Sequence, residues 1–373
     1  MSRVSLTFLW ETPARAIPVF SVFIPFFGCP RRCVFCSQHD QTGQQASPLD
    51  EILARAAADL HARRAQGRPP VELAFYGGTF TALAPRDLDA CLDMADSLRR
   101  DGCITRFRCS TRPDRLDAAL LARLRRHGCR TVELGIQSFS DTALQASERH
   151  YSGRQATEAC RLVRDAGLAL GVQLLPGMPG HQPEDFLADV RRALDLGADM
   201  LRFYPCLVLA GTELARRWQQ SLYAPWPLPR TLSLLARGWL YARRAGVPVI
   251  RMGLAPEPGM EAALLAGPAD RNLGGRVLGR ALWLHVCACL LRARGDDAAR
   301  SEVRAAALLD ALLAGGEAPA GLPRAQALYL PRSCQGFFRG PGDELGTAWA
   351  ALGITRRNLV WTAGQAASLH LDA

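Results

Sequence analysis

Short apolar runs rich in β-branched and aromatic residues alternate with longer stretches whose apolar positions recur every three or four residues. The short runs predict strands at 19–25, 71–77, 105–110, 131–136, 169–175 and 199–205. The longer ones predict helices over Leu49–Ala65, Pro85–Arg100, Arg115–His127, Arg154–Ala166 and Pro183–Leu196, several closed by a glycine (Gly102, Gly128, Gly167, Gly197) just past the last turn. Strands that alternate with helices form a parallel sheet with helical crossovers, so the pattern predicts an α/β fold, an incomplete (β/α)6 TIM-like barrel. Sites in such barrels gather at the carboxyl ends of the strands.

Further along, helical patterns cover Gly275–Arg294, Ala298–Ala314 and Asp343–Leu352. Gly315, Gly316, Pro319, Gly321 and Pro323 mark a loop, and Asn358–Thr362 with Ser368–Leu371 reads as a closing hairpin. The expected organisation is a partial barrel over 17–255 and a mainly helical C-terminal extension over 256–373.

Composition narrows the chemistry. With 49% hydrophobic and 21% charged residues in 373, the chain can bury one large core and a smaller appendage. The start carries no secretory pattern, and the apolar run at 19–27 is too short to span a bilayer and is interrupted by Pro25, so a cytoplasmic protein without a membrane partner is expected. Twelve cysteines in that setting point to a reducing compartment rather than to disulfides. Cys91, Cys103, Cys109, Cys129, Cys160 and Cys206 stand singly in apolar or helical contexts and read as small hydrophobes. Cys287, Cys289 and Cys334 would need to converge to hold a second metal, but the helical pattern turns Cys287 and Cys289 to different faces.

The formal charge is +10, and all 45 basic residues are arginine. Base-composition bias is the simplest source of that choice, yet a surface whose cations are all guanidinium also suits a phosphate-bearing or nucleic-acid partner. The absence of lysine excludes a Schiff base to pyridoxal phosphate and a P-loop lysine.

The chemistry concentrates in Gly28-Cys29-Pro30-Arg31-Arg32-Cys33-Val34-Phe35-Cys36, directly after the first predicted strand. Three thiols so spaced can wrap one face of a cubane 4Fe–4S cluster and leave one iron without a protein ligand. A zinc site is the competing reading, because His39 would complete Cys3His. Each later motif begins where a strand stops: Gly77-Gly78-Thr79-Phe80, Ser110-Thr111-Arg112-Pro113-Asp114, Glu133-Leu134-Gly135-Ile136-Gln137-Ser138, Leu175-Pro176-Gly177-Met178-Pro179-Gly180, and Arg202-Phe203-Tyr204-Pro205. Glu133 and Gln137 on an otherwise apolar strand each need a polar partner, either a ligand at the barrel mouth or the neighbouring strand.

The cysteine spacing, with an aromatic before the third thiol, resembles the radical S-adenosylmethionine (radical SAM) superfamily. The motif set from about Pro18 to Leu254, including Val249-Ile250-Arg251-Met252-Gly253-Leu254, is similar to the branch that contains the catalytic subunit of Elongator and its shorter bacterial relatives. The resemblance implies two cofactors, a 4Fe–4S cluster on Cys29, Cys33 and Cys36, and SAM chelating the fourth iron. One electron from an external donor of flavodoxin or ferredoxin type would then split SAM to methionine and a 5′-deoxyadenosyl radical that abstracts hydrogen from a substrate. It further implies that Gly77 and Gly78 seat the SAM amine, that Phe35, Ser110, Glu133, Gln137, Arg149 and Gln173 lie on the cofactor side, and that Thr79, Arg112, Arg202, Tyr204 and Arg251 lie on the substrate side.

The Elongator subunit modifies the wobble uridine of tRNA with an acetyl-CoA domain, which makes tRNA a candidate partner here. Only about 120 residues follow Leu254, fewer than such a domain would need. Oxygen-independent coproporphyrinogen dehydrogenases are a second similar branch, sharing Gly-Gly-Thr, Gly-Ile-Gln and the Pro-Gly-Met-Pro turn, although Phe23 to Phe27 depart from their barrel entry and Ser110 stands where they place a glutamate. Outside the superfamily, the alternative is an iron–sulfur or zinc protein that binds nucleic acid through its arginines and catalyses nothing.

Overall fold

Seven strands run parallel and pair in sequence order: β1 Val19–Ile24, β2 Val71–Gly77, β3 Ile104–Thr111, β4 Cys129–Gln137, β5 Ala169–Leu174, β6 Met200–Phe203 and β7 Val249–Met252. In this computed structural model the described residues are 4–9, 17–30, 32–37, 47–254, 258–364 and 366–371. His39, the proposed fourth zinc ligand, lies outside them. The chain groups into two compact units, one within Arg15–Pro227 and Tyr241–Arg271, the other within Met1–Ala14, Leu228–Leu240 and Asn272–Ala373.

The first unit is a curled half-barrel with helices in its connections, as the α/β alternation predicts, but with a seventh strand. β7 is four residues between Pro248 and Gly253, too short to register as an apolar run. It adds to β6, with Arg202 opposite Arg251. β6 itself ends at Phe203 rather than at residue 205. Pro205 has no N–H to continue the ladder, although Tyr204 N still donates to Leu174 O at 2.9 Å and Cys206 N to Pro176 O at 2.9 Å.

The outer face of the sheet is apolar. Helix Pro85–Arg100 buries Leu88, Cys91, Leu92, Ala95 and Leu98, the three-and-four spacing of one helical stripe. Phe75 of β2 stacks on Phe80 with centroids 4.8 Å apart and meets Phe107 of β3 edge-on at 5.8 Å. Gly102, Gly128, Gly167 and Gly197 do end their helices, with φ between 68° and 91°. Cys91, Cys103, Cys109, Cys129, Cys160 and Cys206 are buried, as small hydrophobes should be. The inner face differs: it carries Glu72 and Tyr76 from β2, Arg108 and Ser110 from β3, Glu133 from β4 and Arg202 from β6.

The second unit holds a four-stranded sheet in the order Val4–Leu9, Ala366–Leu371, Ala325–Pro331, Leu359–Thr362. The expected closing hairpin does not form. Ala325–Pro331 inserts between its two arms, pairing parallel with Leu359–Thr362 and antiparallel with Ala366–Leu371. Helices Leu273–Ala293 and Ala298–Leu313 complete this helix-rich region, with Phe338 stacked on Trp349 at 4.3 Å. Leu273–Ala293 is long and apolar enough to cross a membrane, but its Val277, Ala281, Leu282, Trp283 and Val286 are fully buried within the fold. Its Arg280 is buried too and pairs with Glu344 at 2.7 Å. Cys287, Cys289 and Cys334 are all buried, and among the described residues they form no metal-ligating group.

Candidate functional site

At the carboxyl ends of the strands lies a cavity of about 470 Å³, and every site residue predicted from the sequence lines it. Cys29, Cys33, Cys36 and Phe35 come from the loop after β1; Gly77, Gly78 and Thr79 follow β2; Ser110 and Arg112 end β3. Glu133 and Gln137 come from β4, Arg149 from the segment after it, Gln173 from β5, Arg202 and Tyr204 from β6, and Arg251 from β7. Of the Leu175–Gly180 turn only Leu175 is among the lining residues. The rest of the turn is braced from behind, with Tyr223 Oη donating to Gly177 O at 2.7 Å and Gly177 N donating to His181 Nδ1 at 3.2 Å.

The cysteine loop is locked against the glycine turn. Gly78 N donates to Ile24 O at 2.9 Å and Thr79 N to Phe27 O at 2.8 Å. A Cβ on Gly78 would fall 1.9 Å from Phe27 O, and one on Gly28 would fall 2.3 Å from Thr79 O, so each loop occupies the space the other's glycine leaves. Cys29 Sγ lies 3.3 Å from Thr79 Oγ1. Burial raises the Cys29 thiol pKa, against the lowering effect of that contact. On the far side of the loop Val34 is buried, and its carbonyl accepts from Leu214 N at 2.7 Å.

Cys33 meets cations. Arg149 Nη1 donates to Cys33 Sγ at 2.8 Å, while its Nη2 donates to Gly135 O at 2.6 Å and its Nε to Tyr151 Oη at 3.0 Å. Burial pushes the Tyr151 phenol up to about 12, opposed by Arg149. Arg112, expected on the substrate side, grips Asp114 through two bonds of 2.8 and 3.1 Å and the Arg149 carbonyl at 2.6 Å. Its Nη1 stands 3.8 Å from Cys33 Sγ.

The floor of the cavity is an ion network that the sequence reading missed except for Glu133, Arg202 and Tyr204. Glu133 Oε1 accepts from Tyr76 Oη at 2.8 Å, Arg108 Nη1 at 3.0 Å and Arg202 Nη2 at 3.1 Å, and Arg202 Nε lies 2.5 Å from Oε2. Arg108 also pairs with Glu72, which Arg106 meets at 3.0 Å. Burial raises the Tyr76 phenol, helped by the Glu133 charge. Two-residue alternation along β2 and β3 was the available signal, since Glu72, Ala74, Tyr76 and Arg106, Arg108, Ser110 share faces. Which glutamate meets which arginine depends on strand order.

Two groups at the cavity are less committed. Gln137 sits in the left-handed region at φ 66° beside a break in the β4–β5 register, and its buried Oε1 has no partner among the described residues. A buried acceptor left open beside a cavity is a place for a ligand donor. Arg251 is exposed, and the bond described for it runs from Nε to Gly253 O at 3.3 Å.

Among the described residues no three Cys, His, Asp or Glu side chains already converge as a metal-ligand set. The three thiols nevertheless line one cavity, with a guanidinium ready to balance thiolate charge. That donor set fits an iron–sulfur cluster, and the open Gln137 acceptor fits a second, polar ligand next to it.

Two family models match the chain, the radical SAM superfamily over residues 23–193 and the radical SAM C-terminal domain over residues 198–280. A tRNA uridine(34) acetyltransferase from Dehalococcoides mccartyi (strain CBDB1) is 29% identical over 63% of this chain and 57% of its own length. Heme chaperone HemW of Mycobacterium tuberculosis (strain H37Rv) is 30% identical over 60% of this chain and 58% of its own. The chain thus spans little more than half the length of these relatives. Among solved structures, archaeal Elp3 of Methanocaldococcus infernus with an N-terminal deletion has the same fold, with TM-score 0.55 and 22% identity over 70% of this chain and 62% of that one.

Proposed function

The chain belongs to the radical SAM superfamily, and we propose that it abstracts a hydrogen atom from a substrate bearing an acidic group, tRNA being the class its relatives' names favour. The family's cofactors are a 4Fe–4S cluster and SAM, and the chemistry they supply when bound is one-electron cleavage of SAM to methionine and a 5′-deoxyadenosyl radical. The electron comes from an external donor of flavodoxin or ferredoxin type.

Each of the chain's own groups has a task in this reading. Cys29, Cys33 and Cys36 hold the cluster. Gly77 and Gly78 let backbone come close to the amino acid end of SAM, and Gln137 offers its open Oε1 as an acceptor. The carboxylates of Glu72 and Glu133 occupy Arg106, Arg108 and Arg202 and fix the floor, while Arg251, outside that network, offers a cation for the substrate's anionic group.

The observation that carries the proposal is the meeting, in one 470 Å³ cavity, of the three thiols, the glycine turn, an open buried acceptor and Arg251. The test is anaerobic reconstitution with iron and sulfide, reduction with dithionite, and measurement of 5′-deoxyadenosine from SAM. Wild-type protein should release it, and Cys33→Ala should release none while keeping its far-UV circular dichroism. No release from reconstituted wild type sinks the reading. Adding tRNA or a porphyrinogen in parallel separates the substrate classes: the proposal expects stimulation by tRNA that weakens as salt rises.

A further inference from the structure

Arg149 is a charge with an unusual set of partners. It is 4% exposed, and its described hydrogen bonds go to a carbonyl, a phenol and the Cys33 sulfur, none of them a carboxylate. An uncompensated guanidinium in the interior is costly unless an anion faces it. Of the two ionisable groups its described hydrogen bonds reach, burial holds the Tyr151 phenol in its neutral form, which leaves the Cys33 thiol, 2.8 Å away. Arg112 is 7% exposed and faces the same sulfur from 3.8 Å, but Asp114 cancels its charge through two bonds. Arg115 approaches Asp114 at 3.6 Å as well. Arg112 also holds the Arg149 main chain in place by its 2.6 Å bond to the Arg149 carbonyl.

We propose that Arg149 sets the reduction potential of the cluster on the cysteine loop by donating a hydrogen bond to Cys33, with Arg112 and Asp114 as the pair that positions and trims this charge. The proposal rests on the reading that Cys29, Cys33 and Cys36 hold a 4Fe–4S cluster. Reduction adds one electron and therefore one negative charge to the cluster. A fixed N–H donor and a positive charge on a ligand sulfur stabilise the reduced form more than the oxidised form, and burial strengthens the effect. Arg149 thereby makes the cluster easier to reduce before SAM arrives. It acts as a positioning and tuning residue; Arg112 follows it in that role rather than touching substrate.

The test is a potentiometric titration of the reconstituted protein without SAM, followed by electron paramagnetic resonance, with iron and sulfide counted per chain. Arg149→Met should shift the reduction equilibrium at least tenfold against the reduced form, a midpoint 59 mV more negative for this one-electron couple. Arg149→Lys should recover part of the shift. Asp114→Asn should move the midpoint the other way, because it leaves the Arg112 charge unbalanced, and Arg112→Gln should move it negative.

A purely structural role would lower iron content without these opposite signs. Full iron with an unmoved midpoint in Arg149→Met overturns the inference. If Arg149→Met fails to assemble a cluster, Asp114→Asn and Arg112→Gln decide it, and equal midpoints for both overturn it. No 4Fe–4S signal in wild type refutes the parent reading, a different result from a signal that does not shift.

Discussion

Removing the Glu133 carboxylate should unfold the half-barrel unit at a markedly lower temperature even when no cofactor is bound. Glu133 has 3% of its side chain exposed and is the carboxylate that Arg202 meets, while Arg108 retains Glu72. In Glu133→Ala, Arg202, itself only 14% exposed, is left with the hydroxyls of Tyr76 and Tyr204. Breaking one side of a buried ion pair costs about 3–5 kcal/mol. For a unit of roughly 150–250 residues each kcal/mol moves Tm by about 2–4 °C, so the expected fall is on the order of 10 °C. The assay is thermal unfolding of metal-free protein, following the transition assigned to the barrel unit, since a two-unit chain need not melt in one step. Glu133→Leu combined with Arg202→Leu should recover much of the loss, because a matched apolar pair leaves no stranded charge. A Glu133→Ala protein that melts within about 1 °C of wild type, well inside the shift expected for so large a loss, would show that the carboxylate is not a structural partner of Arg202.

Two further outcomes follow from local geometry. Gly78→Ala places a methyl group against the Phe27 main chain, so reconstituted protein should hold less iron per chain than wild type, whereas Gly336→Ala, with open space around it and no left-handed backbone, should keep full iron. In the second unit, burial would raise the Glu344 carboxyl, but hydrogen bonds from Arg280 and Arg276 outweigh it and hold the pKa below its ordinary value. A depressed carboxylate adds stability that is fully present above the unfolded pKa of about 4.3 and is lost as pH falls through the lower folded value. Glu344→Gln should therefore flatten the loss of stability on acidification below about pH 4.3 in urea unfolding series, and an unchanged acid limb would count against the ion pair.

What the sequence disclosed and what it hid divide along the range of the interaction. The strands from β1 to β6 and the longer helices between them were legible because their signals are local: two- and three-to-four-residue periodicity, and a glycine closing several of the helices; the six-residue helix Asp141–Ala146 carries neither signal and was not predicted. The cavity residues were legible for the same reason, since each polar residue that breaks an apolar strand at its carboxyl end must face the barrel mouth. Partners were not legible. Arg108 lies in an ordinary strand pattern until the parallel order β2-β3-β4 places it between Glu72 and Glu133. The four-stranded sheet was misread because Ala325–Pro331 inserts between Leu359–Thr362 and Ala366–Leu371, and Ala366–Leu371 also pairs with Val4–Leu9 from the other end of the chain, pairings no window of a dozen residues contains.

The same division explains Arg112. Its motif ends a strand beside the cavity, so its position was visible, and a cation at a barrel mouth invites assignment to substrate. Its described hydrogen bonds are internal ones: Asp114 two residues on takes up its charge, and its remaining reach goes to the Arg149 carbonyl and toward Cys33. Arg251 lines the same cavity with no carboxylate within its described bonds. Charge alone does not divide the arginines of a cavity; the accounting of their acceptors separates one already committed to a carboxylate from one whose described bonds reach none.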